Sequence, residues 1–90
     1  MVHETTTTLA AADILARARH FFAERVPHQA AFPEAEGPTH LLLRGQGGEE
    51  VALAILPAEE GSVRVRASTL LFDQAVARFL STLPPVAGAA

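Results

Sequence analysis

The chain has no cysteine, no tryptophan and no tyrosine, and all seven of its basic residues are arginine. Without cysteine there is neither a disulfide framework nor a thiolate metal site, so a domain this small must be held by packing or self-association. Long apolar runs are missing too. No segment approaches the roughly 18 apolar residues of a membrane span. The opening MVHETTTTLAAADILARARHFF lacks the basic start and apolar stretch of a signal peptide. The expectation is a soluble, cytoplasmic protein. A concentrated basic field is also lacking: net charge is -3 and the pI is near 5.7, which argues against a nucleic-acid partner. The exclusive use of arginine fits a GC-rich coding bias, given the abundance of Ala, Gly, Pro and Val. It also fits retention of guanidinium groups for bidentate recognition of an anion.

What is present suffices to fold. Of 90 residues, 49% are hydrophobic and 19% charged, far from the composition of disordered chains. One domain of this length hides only about two thirds of its unfolded surface. Its core is therefore marginal, and a second subunit would help it.

Residues 1–8 are polar, and the β-branched run TTTT makes them either a tail or an extra edge strand. From Leu9 to Val26, the apolar positions Ile14, Leu15, Ala18, Phe21, Phe22 and Val26 recur at helical spacing, with Thr8 as N-cap, Arg25 in the last turn and Pro27 as terminator. Residues 27–38, PHQAAFPEAEGP, read as a connection or lid anchored on the core by Phe32. Three strand-like runs follow, THLLLRG (39–45), EEVALAIL (49–56) and SVRVRAS (62–68), separated by turn-forming residues. The last element places Phe72, Val76, Phe79, Leu80 and Leu83 on one helical stripe, with Ser68 or Thr69 as cap, Asp73 in the first turn and Pro84-Pro85 as terminator. Residues 86–90 are tail.

The fold class is thus α+β: an α-β-β-β-α domain over residues 9–85, with a three-stranded antiparallel meander and both helices on one face. Register follows from the apolar pattern, because a one-residue slip would turn every side chain over. With an odd number of residues in each hairpin loop, Leu41 and Leu43 align with Val51, Leu53 and Ile55 and with Val63, Val65 and Ala67. This requires a bulged turn at Gly47-Gly48 rather than a tight two-residue one. The other face then carries His40, Leu42, Arg44, Glu50, Ala52, Ala54, Leu56, Arg64, Arg66 and Ser68. Helices on one side leave such a face to solvent, a ligand or a second subunit.

The chemical motifs are sparse. His3, His20, His28 and His40 have no metal-ligand spacing, and no G-x-S-x-G elbow surrounds Ser62, Ser68 or Ser81. GQGG at 45–48 precedes a strand and lacks the following Lys-Ser/Thr, so it is a hairpin turn rather than a phosphate loop. No metal or cofactor is expected. The candidate binding residues are Arg44, Arg64, Arg66 and His40, which share the open face.

The order helix, three strands, helix resembles the double-stranded-RNA-binding domain in topology. That family's basic cluster is replaced here by TLLFDQAVARF, with Asp73 and only Arg78. With an N-terminal strand added, the order also resembles ribosome-hibernation factors, without their basic surface. Residues 39–85, a meander running into TLLFDQAVARFLSTLP, are similar to the closing part of START-like (SRPBCC, polyketide-cyclase-like) helix-grip proteins. That likeness implies a sheet wrapped around a helix and an apolar ligand cavity. In so short a chain it further implies a dimer of two short sheets. The leading expectation is a homodimeric binding or accessory module, using the open face for an acidic or apolar small molecule or a protein partner. A small cyclase-like or hydrolase-like enzyme using His40 and a nucleic-acid-associated module are the alternatives.

Overall fold

The computed structural model describes residues 1–24, 30–59 and 61–85. Its elements run β1 (Val2–Thr7), α1 (Ala11–Glu24), β2 (Ala31–Glu36), β3 (His40–Gly45), β4 (Glu50–Pro57), β5 (Val63–Thr69) and α2 (Asp73–Ser81). The five strands form one antiparallel sheet in the order β1-β5-β4-β3-β2. The fold is α+β, and the first residues are an edge strand rather than a tail.

The meander has the register its apolar pattern demands. Leu41 faces Leu53 and Leu43 faces Val51, while Leu53 faces Ala67 and Ile55 faces Val65. These side chains are buried beneath the helices. The β3–β4 turn is bulged as the register requires: Gly45 donates to the Glu49 carbonyl at 2.8 Å, and Gly48 donates to the Gly45 carbonyl at 3.1 Å. Gly48 sits at φ 89°, a left-handed position that closes a three-residue loop and that a side chain would strain.

Both helices contribute their apolar stripes to one core. Ile14, Leu15, Ala18, Phe21 and Phe22 of α1 meet Ala75, Val76, Phe79 and Leu80 of α2 over the sheet. Phe21, Phe22 and Phe79 form a triangle of tilted and edge-on rings with centroids 5.2 to 5.8 Å apart, the geometry favoured by the aromatic quadrupole. These side chains and those of the meander form one buried cluster between sheet and helices.

Three sequence expectations are corrected. Residues 27–38 are not simply a connection, since Ala31–Glu36 pair with β3. Pro33 disguised this strand, because proline is excluded from central strands and tolerated only at an edge, where β2 lies, or at a bulge, here between Pro33 and Ala35. Phe32 is not a core anchor. It stands opposite Arg44 and is 49% exposed, while neighbouring Ala31 points inward and is fully buried. The expected caps also shift. Helix α1 starts at Ala11, with Ile14 donating to the Ala10 carbonyl, so Thr8 is not its cap. Ser68 lies within β5, and α2 has Phe72 at its N-cap with no side-chain hydrogen bond. Thr69 acts one turn earlier, its hydroxyl accepting from the Phe72 amide at 3.1 Å and donating to the Glu50 carbonyl at 2.9 Å. The roles expected for Arg25, Val26 and Pro27, and for the 86–90 tail, fall outside the described residues.

Candidate functional site

Side chains alternate across a strand, so burial of the apolar set fixes what the opposite face displays. That face carries His40, Leu42 and Arg44 from β3, Glu50, Ala52, Ala54 and Leu56 from β4, and Arg64, Arg66 and Ser68 from β5. β1 adds Val2, Glu4 and Thr6, and β2 adds Phe32 opposite Arg44. No helix covers it.

The four expected site residues share this face but not one environment. Arg44 is engaged at all three nitrogens: it donates from Nε to Glu34 and from Nη2 to Glu50, both at 2.6 Å, and from Nη1 to the Gly48 carbonyl at 3.0 Å. The hydrogen bond it donates to Glu34, followed by that to Glu50, raises its pKa above the ordinary guanidinium value. Arg44 therefore ties β2, β3 and the turn together and has little left for a ligand. Arg66 is different. Its one carboxylate neighbour among the described residues is Glu4, at 3.9 Å, beyond hydrogen-bonding distance. Arg64 makes no ion pair among the described residues. It borders a separate groove, of about 960 Å³, that runs past Thr5, Thr6, Leu80 and Leu83.

His40 and Arg66 are the pair that the sheet brings together. Ala54 on β4 lies between them, in register with both. They flank a shallow depression of about 460 Å³ whose lining also includes Leu42, Ala52, Ala54 and Ser68. Its floor is apolar and its rim carries a guanidinium, an imidazole and a hydroxyl. The His40 ring is placed by the β2–β3 turn, where Gly37 donates to the His40 carbonyl at 3.0 Å and the bare Cα of Gly37 leaves room for the imidazole. No hydrogen bond joins His40 to a carboxylate or hydroxyl among the described residues, so a base–nucleophile pair is not assembled there.

A second polar cluster went unanticipated. His3 on β1 contacts Asp73 at the start of α2, with Nε2 and Oδ1 2.8 Å apart, and the Met1 ammonium stands 3.5 Å from the same carboxylate. The His3 hydrogen bond, with the Met1 charge adding to it, lowers the Asp73 pKa below the ordinary carboxylate range. The sequence separates these residues by 70 positions, and only the pairing of β1 with β5 reveals their meeting. The approach of Glu4 to Arg66 likewise needs the β1–β5 pairing, and that of Glu34 to Arg44 needs the β2–β3 pairing. Leu70 and Leu71, 82% and 64% exposed, form an apolar corner beside Met1 and Val2.

Among the described residues, no group of three histidine, cysteine, aspartate or glutamate side chains is placed to hold a metal ion. No helix there is long and apolar enough to cross a membrane. Comparison with protein-family models, with curated proteins and with solved structures finds no match for this chain.

Proposed function

We propose that the chain is a small homodimeric binding or accessory module, not an enzyme, whose open sheet face receives a small molecule with an apolar body and an acidic group. One observation carries this reading: an apolar floor lies beside Arg66, a guanidinium without close partners among the described residues, whereas Arg44 on the same face is engaged at all three nitrogens. An apolar body covering Leu42, Ala52 and Ala54 gains from burial, and an acidic end gains a charge-assisted hydrogen bond from Arg66. His40 and Ser68 supply further donors on the rim. A relationship to START-like helix-grip proteins belongs to the same proposal and rests on the meander that runs into α2. Because side chains pack the interior, this reading puts the ligand on the outer face rather than beneath the closing helix.

Native mass spectrometry of freshly purified protein tests for a retained ligand, and calorimetric titration with decanoate probes the chemistry directly. The reading expects decanoate to bind wild type and Arg66→Ser to bind it about tenfold more weakly or worse, as loss of a hydrogen bond to a charged group implies. Equal affinity in the two proteins, with the fold intact, would remove Arg66 from the site.

A further inference from the structure

Among the described residues the sheet has two free edges, and they are built differently. β2 carries Pro33 and a register shift between Pro33 and Ala35, two devices that discourage another strand from adding. β1 has neither: six residues, VHETTT, pair with β5 without a shift and contain no proline and no lysine. Its bonding polarity is fixed by its first pair. Met1 and Thr69 exchange both backbone hydrogen bonds, and alternation along an antiparallel ladder then gives the inward bonds to His3, Thr5 and Thr7. Val2, Glu4 and Thr6 therefore turn their N–H and C=O groups outward, where no strand meets them among the described residues.

We propose that this edge pairs with the same edge of a second copy, antiparallel about a two-fold axis at Thr5, joining two five-stranded sheets into one. The proposal rests on the homodimeric part of the reading above and not on its ligand. Outward-bonding residues must meet outward-bonding residues, so the two-fold lies on a residue rather than between two. Only centres at Glu4 and at Thr5 pair five of the six strand residues. A centre at Glu4 sets two like carboxylates directly opposite each other, which is destabilising. A centre at Thr5 sets Glu4 against Thr6 of the second copy and His3 against its Thr7. There the Thr6 amide donates to the Glu4 carbonyl of the second copy and the Glu4 amide to its Thr6 carbonyl, with both bonds repeated by symmetry.

The absence of cysteine gives a clean test. At the Thr5 centre the two copies form a non-hydrogen-bonded pair with Cα atoms about 4.5 Å apart, within the roughly 4.4 to 6.8 Å span of a disulfide. Light scattering on the intact chain at micromolar concentration should give twice the 9.5 kDa chain mass. Under mild oxidation Thr5→Cys should become a covalent dimer, and Glu4→Cys should not. Thr6→Pro removes an outward N–H that β5 does not use, and should yield a monomer with an unchanged far-UV circular dichroism spectrum. A monomeric wild type would overturn both the seam and the homodimer, leaving the ligand titration to stand alone. A dimeric wild type whose Thr5→Cys form does not cross-link, or whose folded Thr6→Pro form stays dimeric, would overturn the seam alone. Cross-linking through Glu4→Cys instead would overturn the register. Thr5→Cys is close to isosteric and decides the matter even if Thr6→Pro fails to fold.

Discussion

Arg44 and Arg66 occupy the same sheet face, yet their neighbours give them opposite work. Arg44→Ser breaks contacts with Glu34, Glu50 and the Gly48 carbonyl, so the β2–β3–β4 corner should loosen, visible as faster amide exchange at the β3–β4 turn. Arg66→Ser removes a half-exposed side chain with one distant partner, and its unfolding free energy should stay within about 0.5 kcal/mol of wild type. Phe79 is the converse, 1% exposed and in contact with both α1 phenylalanines. Phe79→Ala should cost about 3 kcal/mol or more in urea unfolding. Asp73 makes stability depend on pH. Its carboxyl titrates lower in the folded chain than in the unfolded one, so its contribution is present above the ordinary carboxylate range and lost as pH falls through the depressed folded value. The gap in melting temperature between wild type and Asp73→Asn should therefore be full near neutrality and close on acidification. A gap that persists unchanged where the carboxyl is protonated in both states would contradict the His3–Asp73 contact.

The elements differ in how plainly their residues announce them. The meander was legible because Val51, Leu53, Val65 and Ala67 alternate with polar or small residues, and although Leu42 interrupts that pattern between Leu41 and Leu43, pairing with the other two strands leaves only one phase for burial. Helix α1 was legible because Ile14, Ala18 and Phe21–Phe22 recur at its pitch. β2 was not. Pro33 and the bulge beside it spoil the alternation, and the strand's identity comes from pairing with β3 rather than from its own residues. The caps were misread because Thr69 is a cap-type residue near a helix start, yet its hydroxyl bridges β4 to the turn before α2. Thr69→Val keeps the shape of that side chain and removes both bonds. It should cost about 1–3 kcal/mol by leaving the buried Phe72 amide without an acceptor, and thermal unfolding should report it. As to the site, the sequence placed all four candidate residues on the correct face. Their division into engaged and available groups depends on Glu4 and Glu34, which reach the arginines only through edge-strand pairing.

For the molecule as a whole, the open face and the β1 edge make connected demands. A sheet extended across the seam would set two depressions on one continuous surface, related by the two-fold at Thr5. The association should show itself in heat denaturation, because linkage to dimerisation makes the midpoint rise with protein concentration. Thr6→Pro should remove that rise, and a wild-type midpoint independent of concentration would exclude the dimer. The asymmetry of the two edges carries one more consequence. A chain with two receptive borders would keep recruiting neighbours into a filament, but here the proline and bulge of β2 terminate each end. On the proposed seam growth would halt at a pair, so the same kink that hid β2 in the sequence would act as the stop that keeps a sticky threonine-rich ribbon from seeding fibres.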